Sequence, residues 1–203
     1  MKTYKITSQK DLNKFKDDYG YKIDGNAEFS FTAIFEGRLE VEGYLEIVAG
    51  SWIEASGSIE ASGSIEADGS IVAGSWIEAD GSIKAGGSIK AGSWIEASGS
   101  IKAGSSIEAG GWIKAGGSYG IQAGLDITCK GTLSFGLKAF AGINTWREIS
   151  NEEKTITCSK MIGGGTLAYG ILKETGDMVD DKTAEAMEVL KKAGYKIIKE
   201  KQK

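Results

Sequence analysis

The chain has 203 residues, of which 26% are charged and 9% are aromatic, and these values are ordinary for one domain or one repeat body. The formal net charge of -4 gives no electrostatic case for nucleic acid, because that binding depends on Lys and Arg that neutralise phosphates. The sequence contains no histidine. This excludes Ser-His and Cys-His catalysis as well as His-ligated zinc sites.

The sequence predicts a cytoplasmic protein without a membrane-spanning segment. No apolar run approaches the roughly 18 residues that a spanning helix needs. Residues 1–8 lack the apolar core of a signal peptide. The two cysteines, Cys129 and Cys158, are too few for a disulfide framework, so we predict two reduced and partly buried thiols.

Residues 1–22 are predicted to form a cap that contains a short strand, a helix and a turn. Ser8 can cap the helix, and Leu12 and Phe15 are spaced to face one side of it. Gly20 follows this amphipathic run and fits a C-terminal helix stop. We expect the cap to cover the open end of the repeat that follows, since exposed strand edges recruit other chains.

The central stretch is a repeat in which isoleucine occupies every sixth position from Ile47 to Ile113. A fixed short period marks a solenoid, whose units bury their apolar side chains only by stacking on neighbouring units. We assign residues 23–145 to this repeat. Its frame extends backwards through degenerate units and resumes after a two-residue insertion near Tyr119; the additional members are Ile23, Phe29, Phe35, Val41, Ile121, Ile127 and Leu133.

Each six-residue unit has assignable roles. The Ile at its first position points inward, the Glu or Lys at its second points outward, and a small Ala at its third lies near a corner. Gly, Ser or Asp then supply the turn. Three such sides would close a coil of about 18 residues, and the tryptophans support this independently, because Trp76, Trp94 and Trp112 are each 18 residues apart.

Units such as Ile-Glu-Ala-Ser-Gly-Ser and Ile-Lys-Ala-Gly-Gly-Ser resemble those of the hexapeptide-repeat left-handed parallel β-helix family. The resemblance implies an all-β, three-sided and left-handed coil. Many members are acyltransferases with a catalytic histidine or histidine-liganded carbonic anhydrases, so neither activity carries over to a chain without histidine. The sequence also resembles bactofilins, which polymerise, and uncharacterised repeat proteins of Gram-positive bacteria and their phages.

Residues 146–203 are predicted to form short strands followed by a helix and a strand that cap the other end. The strands are expected because Thr157-Cys158 echoes Thr128-Cys129, and they can pair with the last coil. The helix is predicted over 180–193, with Ala184, Met187 and Leu190 on one face, and the final strand over 195–199. The whole chain then has about seven coils between two small α+β caps.

The candidate binding residues are Trp76, Trp94, Trp112, Glu78 and Glu96. The tryptophans precede inward isoleucines, so they should point outward and form an apolar stripe beside the two glutamates. Such stripes mark contact surfaces, so we expect a protein-binding face. The alternative is that the indoles only stack on one another and shield the sheet.

The outward charges of the other two faces are expected to stack with opposite signs on many rungs, whereas Glu78 should lie over Glu96. Together with Asp80 these carboxylates could bind calcium, but solvated charges are the expected state. The sequence therefore predicts no metal, no cofactor and no catalytic residue.

Three functions remain open after these exclusions. The first is a non-enzymatic binding or scaffold protein that presents the tryptophan column to a protein partner or to a second copy. The second is a polymer-forming structural protein like a bactofilin, although folded ends argue against open-ended growth. The third follows from the phage resemblance alone and is an inhibitor of host defence, such as an anti-CRISPR protein, that acts by binding. An enzyme is the least supported function.

Overall fold

The computed structural model describes residues 1–48 and 50–176. The first strands in chain order are β1 Thr3–Ile6, β2 Gly20–Ile23, β3 Asn26–Phe29, β4 Ala33–Phe35, β5 Arg38–Val41, β6 Leu45–Ile47, β7 Ile53–Ala55, β8 Ile59–Ala61, β9 Ile65–Ala67, β10 Ile71–Ala73, β11 Ile77–Ala79, β12 Ile83–Ala85 and β13 Ile89–Ala91. The later strands are β14 Ile95–Ala97, β15 Ile101–Ala103, β16 Ile107–Ala109, β17 Ile113–Ala115, β18 Ile121–Ala123, β19 Ile127–Cys129, β20 Thr132–Ser134, β21 Lys138–Phe140, β22 Thr155–Cys158, β23 Lys160–Ile162, β24 Thr166–Tyr169 and β25 Ile171–Glu174.

The strands form three parallel sheets. Sheet A has the order β1-β3-β6-β9-β12-β15-β18-β21-β24, sheet B has β2-β5-β8-β11-β14-β17-β20-β23, and sheet C has β4-β7-β10-β13-β16-β19-β22-β25. From β2 onwards the chain visits the three sheets in rotation, so the molecule is a three-sided parallel β-helix with about 18 residues per coil, as the sequence predicts. It has about nine turns, and the predicted seven is wrong because the strands on both sides of the isoleucine repeat continue the coil.

The isoleucine repeat forms the core of the coil. In sheet C, Ile71 lies between Ile53 and Ile89, each 18 residues away. All three side chains are fully buried, as are the alanines two residues further on in each strand, while the residues between them face outward. Burying one isoleucine side chain contributes about 1.5–3 kcal/mol, so a column of identical side chains supplies the cohesion that a three-residue strand lacks alone.

The early turns use a frame that differs from the predicted one by two residues. Ile47 pairs with Ala67, and Leu45 pairs with Ile65. Ile47 therefore occupies the alanine position of its strand, and so do Ile23, Phe29, Phe35 and Val41. Both positions point inward, so a six-residue spacing of large apolar residues does not distinguish between them. Phe29, Phe31, Ala33 and Phe35 alternate along the sequence as in one strand, but a corner separates β3 from β4.

The N-terminal segment packs on the first turn. After β1, helix α1 spans Gln9–Leu12 and a 3₁₀ helix follows over Asn13–Phe15. Ser8 caps α1 as predicted, since its hydroxyl accepts a hydrogen bond from the Asp11 backbone N–H at 3.3 Å. Leu12 is fully buried in the core. The prediction that Gly20 ends the helix is wrong, because Gly20 is the first residue of β2 and has φ +147°.

The segment after the repeat continues the same coil. Strand β22 pairs with β19, which places Thr157 beside Thr128 and aligns the two Thr-Cys pairs, and β25 pairs with β22. A second 3₁₀ helix spans Glu152–Lys154. The helix predicted over 180–193 and the strand predicted over 195–199 lie outside the described residues. Within the described part of the chain, no helix is long and apolar enough to cross a membrane.

Candidate interaction face on sheet B

The outer surface of sheet B, which we call the tryptophan face, carries the three tryptophans in one stack. The ring centroids of Trp76 and Trp94 are 4.8 Å apart with planes 5° from parallel. Those of Trp94 and Trp112 are 5.6 Å apart with planes at 9°. The stack arises because each tryptophan directly precedes a strand, β11, β14 or β17, and the strands pair without slippage. Each stacked pair contributes about 0.5–1.5 kcal/mol beyond its area burial.

The indoles are half-buried. Each ring covers part of its neighbour, so the stack leaves mainly ring edges to solvent. The indole N–H of Trp76 donates a 3.0 Å hydrogen bond to Oε1 of Glu60 one turn away, and this ties the first ring to the sheet. The stack therefore serves the fold, and at the same time it keeps an ordered apolar edge on the surface.

Serine occupies the equivalent corner on several turns of the other two sheets, although Trp52 precedes β7 of sheet C. Before sheet A, the hydroxyl of Ser64 accepts a hydrogen bond from the Ser82 backbone N–H at 3.0 Å, and Ser82 in turn accepts from Ser100 at 3.1 Å. Before sheet C, Ser70 accepts from Ser88 at 3.0 Å. Serine is thus a residue that this corner accommodates with its own hydrogen bonds. A stack of three tryptophans on successive turns distinguishes sheet B, since Trp52 is a single tryptophan on sheet C.

A column of carboxylates runs beside the tryptophans. Successive turns of sheet B place four glutamates in register at the outward position of the strand, with a lysine at each end; in order these residues are Lys22, Glu40, Glu60, Glu78, Glu96 and Lys114. The sequence predicts only the last four, because the two-residue difference in frame conceals Glu40. Neighbouring turns are about 4.8 Å apart, so four like charges stack consecutively.

Three of the four glutamates have partners within the chain. Glu40 forms ion pairs with Lys22 at 2.6 Å and with Arg38 at 3.1 Å. Glu96 pairs with Lys114 at 2.6 Å. Glu60 accepts hydrogen bonds from Trp76 and, at 2.9 Å, from the Ser58 hydroxyl.

Glu78 is the member of the column without compensation. Among residues 1–48 and 50–176, no cation and no hydrogen-bond donor contacts its carboxylate. Two effects raise the pKa of Glu78 above its ordinary value of 4.5. The larger is partial burial, and the smaller is repulsion from Glu96, Glu60 and Asp80. The centre of the tryptophan face therefore has an excess of negative charge.

The other two faces contain pairs of opposite charge, but sheet A also stacks like charges, since Glu28, Glu46 and Glu66 are in register on successive turns. On sheet A, Lys84 forms an ion pair with Glu66 on the adjacent turn, although Lys102 lies on its other side. On sheet C, Lys90 pairs with Glu108 at 2.9 Å. The predicted stacking of opposite charges is confirmed for these pairs. It fails on sheet A between Lys84 and Lys102 and along Glu28, Glu46 and Glu66, where like charges are in register.

The carboxylates do not assemble into a metal centre. No group of three or more Cys, Asp or Glu residues in the described ranges is arranged to hold a metal ion. Glu78 and Asp80 line a shallow depression of about 160 Å³ together with Glu40 and Glu60, and it is open to solvent. Repulsion between Glu78 and the neighbouring carboxylates is thus the main electrostatic property of this surface.

A second surface feature was not predicted, although the sequence contains a signal for it. The two-residue insertion before β18 pushes Tyr119 outward, and it lines a pocket of about 470 Å³ with Leu137 and Phe140. Lys102 and Lys138 lie at its border. Tyr119 and Leu137 are both about half exposed. The insertion itself indicates that the regular sheet surface is interrupted at this turn.

The two cysteines are structural. Both are buried and free, and they lie in the same column one turn apart. Burial raises the pKa of Cys129 to about 12 and that of Cys158 to about 11. A reactive cysteine needs a lowered pKa and access to solvent, so neither thiol is suited to nucleophilic chemistry.

The comparisons with known proteins add no relative to this description. The sequence matches no protein-family model and no curated protein, and no solved structure matches the chain. The described geometry therefore establishes a parallel β-helix and one distinctive face, and the function is argued from that face.

Proposed function

We propose that this protein is a non-enzymatic binding or scaffold protein that uses the tryptophan face to contact another protein molecule. The observation that carries the proposal is the stack of Trp76, Trp94 and Trp112 on three successive turns, at a corner where the neighbouring sheets have serine on most of the same turns. An apolar strip on a rigid sheet suits protein recognition, because aromatic side chains provide large contact area at low entropic cost.

Membership in the hexapeptide-repeat family belongs to the same proposal. It is supported by the three-residue strands, the coil of about 18 residues and the buried Ile and Ala columns. Because the sequence has no histidine, we carry over the family's architecture and not its enzymes. A cytoplasmic location is likewise proposed, and the two adjacent free thiols fit a reducing compartment.

The test replaces the three stacked tryptophans by serine. Serine already occupies most of the equivalent corners, Ser58 before β8 of sheet B among them, so the triple variant should keep the coil and lose about 1–3 kcal/mol of stability from the two stacked pairs. Association would be followed by size-exclusion chromatography with light scattering and by pull-down from an extract. Trp146→Ser is the matched control, because Trp146 is 84% exposed and lies outside sheet B.

We expect the triple variant to lose the partner that the wild type and Trp146→Ser retain. Unchanged association of a folded triple variant would refute the proposal. A bactofilin-like polymer remains the alternative. Electron microscopy that shows filaments of the triple variant as well as of the wild type would favour this alternative, whereas small discrete particles at high concentration would remove it.

A further inference from the structure

We propose that the tryptophan face recognises an arginine-rich segment of another protein and does not bind a second copy of this chain. The inference rests on the proposed function and specifies the partner. It depends on the arrangement of the tryptophan stack beside the glutamate column, in which Glu78 lies beside Trp76, the first ring of the stack.

The first argument concerns geometry. Trp76 and Glu78 are two residues apart and project from the same side of the sheet, about 6.6 Å apart along the backbone. Arginine combines an apolar stem of similar length with a planar, multiply donating head. Its stem can pack along the exposed indole edges while its guanidinium reaches the carboxylates, as long cationic side chains do at apolar surfaces.

The second argument concerns charge. Lys22 and Lys114 neutralise the two ends of the glutamate column, whereas Glu60 and Glu78 at its centre have no cationic partner in the described ranges. Stacked like charges destabilise a sheet. Sheet A also has three glutamates in register, but the stack of Trp76, Trp94 and Trp112 lies beside the glutamates of sheet B. A cationic partner would supply the compensation that the isolated molecule lacks at the centre of sheet B.

The third argument excludes a second copy as the occupant. A symmetric dimer brings the same patch of each subunit together. Such a contact would place the central carboxylates of one molecule against those of the other, and like charges across an interface suppress association. The indole edges alone would favour a dimer, so the carboxylates decide which partner fits.

The experiment measures binding of a fluorescein-labelled oligo-arginine peptide by fluorescence anisotropy at low and high salt. The key variant is Glu78→Gln, which keeps the shape of the side chain. The matched control is Glu54→Gln, which has the same effect on net charge but lies on sheet C between Ile34 and Val72. A third variant, Trp94→Ser, tests the aromatic contribution.

We expect Glu78→Gln to weaken binding of the peptide roughly tenfold, Trp94→Ser to weaken it measurably, and Glu54→Gln to leave it unchanged. Oligo-lysine should bind more weakly than oligo-arginine, because an ammonium cannot form paired hydrogen bonds with carboxylates. Equal losses in the two glutamine variants would overturn the inference, since binding would then follow net charge alone. A concentration-dependent dimer of the wild type that Trp94→Ser abolishes would also overturn it.

The two proposals fail separately. If the serine triple variant loses its partner but Glu78→Gln has no effect on the peptide, the face binds protein and its partner is not basic. If the triple variant keeps all associations, the proposed function fails. If binding of the peptide depends on Glu78 but not on Trp94, the combined tryptophan-glutamate site is overturned as well.

Discussion

Reversing the charge at the centre of the glutamate column should stabilise the protein. Glu78 lies between Glu60 and Glu96 on adjacent turns, and burial together with these neighbours raises its pKa. In Glu78→Lys, two repulsive contacts become two attractive ones. The backbone and the buried positions on either side, Ile77 and Ala79, are unaffected by the change.

The magnitude follows from the spacing of the turns. Two unit charges about 4.8 Å apart interact by about 0.9 kcal/mol in water, and measured exposed pairs contribute about 0.2–1 kcal/mol after screening and side-chain entropy. The substitution removes two unfavourable terms and adds two favourable ones. We therefore expect a gain of about 1–2 kcal/mol in the free energy of unfolding at low salt, and a smaller gain at 1 M salt.

The assay is urea denaturation followed by circular dichroism, with Glu54→Lys as the matched control. Glu54 has the same position in its strand but lies between Ile34 and Val72, so its replacement removes no repulsion on its own column. We expect the control to change stability by less than about 0.5 kcal/mol. A Glu78→Lys protein that is no more stable than the wild type, or a gain equal to that of Glu54→Lys, would show that the column does not cost stability.

The pH dependence gives a second readout of the same residue. Since the pKa of Glu78 is higher in the folded than in the unfolded chain, the folded state binds more protons between the two values. The contribution of Glu78 to stability is then fully present below pH 4.5, the ordinary pKa of the group. It is lost as the pH rises through the pKa of the folded state. The stability advantage of Glu78→Gln over the wild type should grow across this window and then become constant.

Two further predictions concern the buried columns. Ile89→Ala should cost about 2–5 kcal/mol, because Ile89 is fully buried and a cavity would remain. The control is Ile34→Ala on the outer surface, where Ile34 is 58% exposed, and it should change stability by less than about 0.5 kcal/mol. Similar urea midpoints for the two variants would contradict the assignment of Ile89 to the core. Cys129, whose pKa is raised to about 12 by burial, should resist iodoacetamide near neutral pH in the native protein and react after unfolding in urea. Equal labelling rates in both states would show that the thiol is accessible.

The repeat alone was sufficient to predict the three-sided coil, because a period of six with a superimposed period of 18 is compatible with few architectures. It was also sufficient to place Trp76, Trp94 and Trp112 in one column and to locate the insertion at Tyr119. These features depend only on spacing along the chain, and the stacking of parallel strands preserves that spacing.

The position of the early turns required the tertiary structure. Residues one and three of strands such as β6 and β7 both point inward, so a large residue can move from one position to the other without breaking the six-residue period. This happens between Ile47, at the alanine position, and Ile53, at the isoleucine position. The pairing between turns fixes which of the two positions each residue takes. This pairing leaves no visible pattern in the sequence.

The same ambiguity limited the prediction of the site. In the predicted frame Glu40 falls at a corner, whereas the observed register places it under Glu60 and extends the acidic column by one turn. The half-burial of the indoles and the hydrogen bond from Trp76 to Glu60 also depend on side-chain packing across turns. The sequence by itself thus determined the coil and the tryptophan column, because these follow from periodicity. Only the tertiary structure decided which charges meet beside that column, because this depends on the register between turns.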